Sequence, residues 1–186
     1  MLVAAARDPK GLVIGLDPVA VAMAEASRRA ARVAARGGLP NALFVAASAE
    51  SIPAELHGTA AQVVVRFPWA SLLRGCLGSD AAVALGLVSL LAPCGTLELL
   101  LAPAARDRLD GLPTDPVAVV AAARATFEGL GLVTLEGREA SADEVRSAGS
   151  TWAKRLLGTN GRGGVGRGAG GPSAARPVVL VRFRSP

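Results

Sequence analysis

Apolar residues fall along this chain in short blocks separated by polar or turn-forming punctuation. Leu12 to Leu16 (LVIGL), Ala42 to Ala47 (ALFVAA) and Gln62 to Phe67 (QVVVRF) are nearly continuous apolar runs, the pattern of strands buried on both faces. After the first run, Asp17-Pro18 predicts a helix start. Ala20, Val21, Met23, Ala24 and Ala30 carry that helix to Arg36, where Gly37-Gly38 supplies a left-handed cap. Downstream, Trp69 to Ala92 reads as mostly helical, Thr96 to Leu101 as a strand, Pro116 to Gly129 as a helix and Leu132 to Leu135 as a strand. A helix over Ser141 to Leu157 and a β-branched strand over Pro177 to Phe183 complete the series. Strands alternating with helices predict an α/β fold with a mainly parallel sheet, as one domain over residues 1–186 with no internal repeat.

Between the last helix and strand, Gly158 to Gly171 (GTNGRGGVGRGAGG) has the composition of a flexible loop. It contains a literal GxGxxG at Gly161, Gly163 and Gly166. A dinucleotide fingerprint follows a strand and opens a helix, whereas this one follows a helix and leads into a strand, so the match is set aside. The most apolar stretch, Ala81 to Ala105, is interrupted by Pro93, Gly95 and Glu98 and reads as core helix, turn and core strand. A membrane span needs about 18 uninterrupted apolar residues. Met1 to Lys10 has neither the basic start nor the apolar core of a signal peptide. The expected setting is therefore cytoplasmic, without a membrane partner, and Cys76 and Cys94 are expected as reduced, buried thiols.

Composition narrows the function classes. With 186 residues, 51% hydrophobic and 19% charged, the chain has the material for one buried core, which excludes disorder and fibrous repeats. Its net charge of +5 is almost all arginine, which admits a polyanionic partner without requiring one. Arg28, Arg29, Arg32 and Arg36 crowd the second half of the first long helix; on a continuous helix Arg28, Arg32 and Arg36 share one face. That face is either solvated or turned to a phosphate backbone. No zinc-ligand spacing exists, because the two cysteines stand 18 apart with a single His57 elsewhere, and no metal site is expected.

In open α/β sheets, ligands collect at the carboxyl ends of strands, where Asp17, Ala49-Glu50 and the Phe67-Pro68-Trp69 corner fall. Asp17 can accept both hydroxyls of a ribose or cap the next helix. Glu50 can meet an adenine or its ribose, or remain a surface carboxylate. Aromatic residues are scarce, yet both tryptophans occur in polar, turn-like contexts, FPWAS and STWAKRL. Trp69 and Trp152 therefore suit a pair of plates over a planar base, steered by cationic neighbours, as well as ordinary packing.

The run GLDPVAVAMAEASRRAARVAARGGLPNALFVAASAESIPAELHG, followed by VVVRFPWASLLRG and STWAKRL, resembles the aminoglycoside-resistance methyltransferases that modify N1 of adenine 1408 in the decoding site of 16S rRNA. The resemblance covers Gly11 to about Leu157, and FPW with WAKRL is its most discriminating part. It implies a Rossmann-like class I sheet with helices on both faces, S-adenosyl-L-methionine as cofactor, the 30S subunit as partner and a monomeric enzyme. By the same resemblance, Asp17 holds the cofactor ribose, Ala49 and Glu50 its adenine, and Arg66, Phe67, Ser71 and Ser150 the methionine side and the pocket mouth. The resemblance further implies that Trp69 and Trp152 sandwich the flipped adenine and that Arg28, Arg29, Arg32, Arg36, Arg155 and Arg162 face the rRNA backbone.

One departure accompanies the likeness. Class I methyltransferases begin with a strand and a glycine-rich loop around the methionine part of the cofactor. Here only Met1 to Lys10 precede the LVIGLD strand, and Leu2 to Pro9 resembles the helix that follows such a loop. The expected sheet is thus one lacking its first, central strand and that loop.

Overall fold

The computed structural model describes residues 1–103, 111–149 and 177–186, which form an α/β fold of six strands and six α-helices among these residues. They cluster into two compact units, Met1–Pro53 and Ala54–Pro186.

In the first unit, α1 (Leu2–Arg7) is followed by β1 (Val13–Asp17), α2 (Ala20–Ala30), a 3₁₀ turn (Ala34–Arg36) and β2 (Ala42–Ala46). β1 and β2 pair in parallel from Val13 opposite Ala42 to Asp17 opposite Ala46. Asn41 ties the unit together. Its side-chain amide nitrogen lies 3.0, 2.9 and 2.9 Å from the carbonyl oxygens of Ala5, Asp8 and Gly11, satisfying the turn between α1 and β1.

The helix predicted from Pro18 to Arg36 is shorter at both ends. Its N-cap is Val19, and Asp17 instead closes β1. At the other end α2 stops at Ala30, because the chain must turn back toward β2: the Leu39 amide donates to the Ala30 carbonyl at 2.8 Å. Gly38 makes this return possible, since a Cβ there would fall on the Arg32 carbonyl oxygen. Arg28 and Arg29 thus lie on α2, whereas Arg32 and Arg36 lie beyond it, and the shared helical face of Arg28, Arg32 and Arg36 does not form.

The second unit holds β3 (Ala60–Arg66), α3 (Ala70–Cys76), α4 (Ala81–Ser89), β4 (Leu91–Leu101), α5 (Pro116–Glu128), β5 (Val133–Glu139), α6 (Ala142–Ser147) and β6 (Val179–Arg184). Its sheet is mixed rather than mainly parallel. The order is β3-β4-β6-β5, with β3 parallel to β4 and β6 antiparallel to both neighbours. Along the β4–β6 ladder Leu97, Leu99 and Leu101 face Phe183, Val181 and Val179, all buried on one side of the sheet. Phe127 of α5 joins them, its ring centroid 5.1 Å from that of Phe183. Such fully buried side chains contribute about 1.5–3 kcal/mol each relative to exposure. On the opposite side Leu100, Leu180, Val178 and Val145 form a second cluster, with Phe67 and Ala148 packed against it.

The same opposite side carries a line of charge. Arg182 stands between Glu98 and Glu136 in register and donates to each at 2.9 Å. Glu136 also accepts from Arg138 at 2.6 Å, and Arg138 grips Glu144 of α6 through both guanidinium ends at 2.7 and 2.8 Å. Ser141 and Glu144 complete a capping box at the start of α6.

α6 ends at Ala148 and Gly149, whose φ of 64° is left-handed, so the helix predicted to Leu157 stops at Ser147 among the described residues. No described helix is by itself long and apolar enough to cross a membrane.

The cysteines divide. Cys76 is buried in α3, and burial pushes its thiol up to about 12. Cys94 is exposed, against the expectation that both thiols are buried, because β4 enters the sheet through a kink where Cys94 adopts φ 59°. A thiol-reactive chromophore should therefore label one cysteine rapidly in the native protein, Cys94→Ser should abolish that phase, and Cys76 should react only after denaturation.

The Arg138 guanidinium, together with the Ser141 amide, lowers the Glu144 carboxyl from 4.5 to about 2. A depressed pKa stabilises the folded chain above the unfolded value and ceases to do so as pH falls through the folded one. Melting curves of the wild type and Glu144→Gln should consequently differ most above about pH 4.5, and the gap should close as pH approaches 2.

Candidate functional site

In the first unit, Asp17 is the last residue of β1, and its Oδ1 accepts the Val19 amide at 2.7 Å. This local turn orients the carboxylate at the carboxyl end of the strand without capping α2. Among the described residues, Oδ2 receives no hydrogen bond. Ala49 and Glu50 lie in the turn just after β2, at the same end of the β1–β2 pair. Arg28, Arg29, Arg32 and Arg36 are all exposed, and no ion pair among the described residues engages them.

In the second unit, Arg66 ends β3 and leads into a tight corner. Phe67 and Ala70 both adopt positive φ, 51° and 49°, on either side of Pro68 and Trp69. Each such non-glycine residue costs on the order of 1–3 kcal/mol and persists only where its surroundings over-determine it. Here the Phe67 amide donates to the Leu100 carbonyl at 2.8 Å and its ring packs on the Leu100, Val145, Val178 and Leu180 cluster. Pro68 is buried. Trp69 becomes the N-cap of α3, with its side chain 55% exposed. A large aromatic held outward on a strained, anchored corner is the arrangement that a stacking plate requires. Ser71 is exposed in the first turn of α3.

The Arg66 guanidinium reaches the other way and donates to the Ala148 carbonyl at the end of α6, at 3.3 Å. The chain that continues from this helix contains Ser150, Trp152, Arg155 and Arg162, which lie outside the described residues, as does the loop 158–171.

The structure thus places Asp17 with Ala49 and Glu50 at one strand end, and Arg66 with Phe67, Trp69 and Ser71 at another. It also brings in residues that sequence reading missed. The line Glu98, Arg182, Glu136, Arg138 and Glu144 joins four elements through cross-strand register, for which a linear sequence has no signal; only the Ser141-x-x-Glu144 capping box was readable.

Comparison with known proteins gives a consistent family. A family model described as "NpmA: 16S rRNA (adenine(1408)-N(1))-methyltransferase" matches residues 1–166. A 16S rRNA (adenine(1408)-N(1))-methyltransferase of Streptoalloteichus hindustanus is 32% identical over 162 residues, covering 82% of this chain and 72% of that protein. A tryptophan-to-alanine variant of the corresponding methyltransferase from Catenulisporales acidiphilia, solved with its cosubstrate SAM, superposes with a TM-score of 0.77 at 29% identity, covering 99% of this chain and 79% of that one. The 16S rRNA methyltransferase KamB superposes with a TM-score of 0.78 at 26% identity, covering 100% and 82%. With a matching family model over most of its length and a relative of this similarity, the chain belongs to the 16S rRNA (adenine(1408)-N(1))-methyltransferase family.

Proposed function

We propose that this chain transfers a methyl group from S-adenosyl-L-methionine to N1 of adenine 1408 in the decoding site of 16S rRNA, conferring aminoglycoside resistance. The observation that carries this reading is Trp69, exposed at the carboxyl end of β3 on a corner whose backbone strain is offset by buried anchors. The residues present fit the cofactor ribose: a carboxylate at a strand end with one oxygen fixed by Val19 leaves its other oxygen for hydroxyl groups.

When bound, S-adenosyl-L-methionine supplies the electrophilic methyl group. Asp17 would hold the ribose, with Ala49 and Glu50 at the adenine. Phe67, Ser71, Ser150 and the main chain of Arg66 would line the methionine side, since the Arg66 side chain is committed to Ala148. Trp69 and Trp152 would hold the flipped adenine between them. Adenine N1 offers an in-plane lone pair and carries no proton to remove, so alignment and exclusion of water are what the protein must provide. A general base is unnecessary.

Arg28, Arg29, Arg32 and Arg36 would meet rRNA phosphates as a cluster spread over α2 and the following turn, joined by Arg155 and Arg162. The whole chain acts, in this reading, as one domain and as a monomer in the cytoplasm, on the 30S subunit.

Its sheet is read as a class I methyltransferase sheet whose first, central strand and glycine-rich loop are not among the described residues. β1 and β3 each pair with one described strand. That one-sided pairing favours a second reading, a chain that binds rRNA without carrying out methyl transfer. Titration calorimetry with S-adenosyl-L-methionine, run beside a methylation assay on 30S subunits, separates the two. Cofactor binding with methylation of one adenine supports the first; 30S binding without cofactor binding supports the second.

Under the first reading Asp17→Ala should weaken cofactor binding by at least about tenfold, the loss of a charge-assisted hydrogen bond worth roughly 1.5–3 kcal/mol. Trp69→Ala should leave cofactor affinity within about twofold but slow methyl transfer by roughly 5- to 150-fold, from a stacking contribution of about 1–3 kcal/mol. A small-molecule methyltransferase would keep its activity in that variant. Replacing Arg28 and Arg29 together by Ala should lower the salt dependence of 30S binding by up to about two units of log–log slope.

A further inference from the structure

α6 is a six-residue helix, too short to persist without support at its ends. Support is present at both. Its first turn is fixed by the Ser141–Glu144 capping box and by the Arg138 guanidinium, which reaches both Glu144 oxygens. The carbonyl of Ala148, its C-cap, accepts from Arg66 at 3.3 Å, which satisfies one of the acceptors at the helix C-terminus. Between the two ends, Val145 belongs to the cluster against which Phe67 packs, and Ala148 packs there too. The helix therefore meets the Phe67 corner through the shared apolar cluster and through Arg66, the residue immediately before Phe67.

Arg138 is itself held from the sheet. Glu136 accepts from it at 2.6 Å and from Arg182 at 2.9 Å, and Arg182 also pairs with Glu98 at 2.9 Å. A continuous set of polar contacts thus runs from β4 across β6 and β5 into the start of α6, and from the end of α6 to β3.

We infer that α6 is a brace for the Trp69 corner, and that Arg66 and Arg138 are positioning residues which hold its two ends. The strained conformations of Phe67 and Ala70 need an external support to persist, and α6 contributes Val145 to the cluster on which the first of them packs. Releasing either end of the helix removes that support, so Trp69 loses its fixed direction although neither arginine is replaced at Trp69 itself. The consequence for methyl transfer rests on the function proposed above; the consequence for Trp69 does not.

The chain has two tryptophans, so Trp152→Phe leaves Trp69 as its sole indole reporter. In that background, Arg66→Ala and Arg138→Met should each raise acrylamide quenching of Trp69 and lower its fluorescence anisotropy. The double variant should be no worse than either single one, because both changes release the same brace. Arg66→Lys, which keeps a donor, should restore most of the parent signal. With both tryptophans present, each single variant should lower kcat for 30S methylation by roughly 10- to 100-fold, the scale of a small misplacement of a substrate-holding group.

Unchanged Trp69 fluorescence in both arginine variants overturns the inference. A response to Arg66→Ala without one to Arg138→Met also overturns it, since Arg66 would then act on the corner locally and α6 would not be involved. If the parent chain methylates nothing, the proposed function fails while the fluorescence comparison still decides whether α6 braces the corner.

Discussion

The β4–β6 ladder is the contact on which the second unit depends, because its two faces do different work. On one face the facing pairs Leu97–Phe183, Leu99–Val181 and Leu101–Val179 are buried beside Phe127 and form the core. One residue out of phase, Leu100–Leu180 and Glu98–Arg182 lie on the other face. The first of these pairs seats Phe67 and α6, and the second starts the charged line that reaches Glu144. A one-residue slip would exchange the faces and disconnect both. Register thus sets the core and the surroundings of Trp69 at once.

Much of this architecture was legible because apolar runs mark strands, although none of the first three is buried on both faces as expected. β1 is half-buried throughout, and Leu43 of β2 and Val64 of β3 are exposed, because one face of each strand is left uncovered among the described residues. LVIGL, ALFVAA and QVVVRF became β1, β2 and β3, and Pro116 to Gly129 became α5 with Asp115 as its cap. The misreadings share a physical origin: local propensity does not show where the chain must turn. Alanine and arginine favour helix past Ala30, but the return to β2 through Gly38 and the Leu39–Ala30 hydrogen bond ends it. Likewise the apolar neighbourhood of Cys94 suggested burial, whereas the β4 kink exposes it. The mixed sheet was unreadable because strand direction is fixed by pairing partners, not by composition.

The candidate site was legible in its parts more than in its support. Strand-end position and residue type picked out Asp17 and Trp69, and both lie where ligands of α/β sheets collect. What holds them is another matter. The Asp17–Val19 turn, the paired positive φ angles at Phe67 and Ala70, and the reach of Arg66 to Ala148 depend on backbone geometry and on residues distant in sequence. The arginine cluster shows a further case: all four residues are exposed, while their expected arrangement on one helix face does not form.

The corner between β3 and α3 also limits how this protein can be improved. A glycine at position 70 would relieve the left-handed backbone there and add a little thermal tolerance, and selection for hardiness alone would favour it. The same replacement would let the indole next to it wander. Under the proposed function, stability and activity pull this residue in opposite directions, and alanine is the compromise expected where local strain holds a substrate-facing side chain in place.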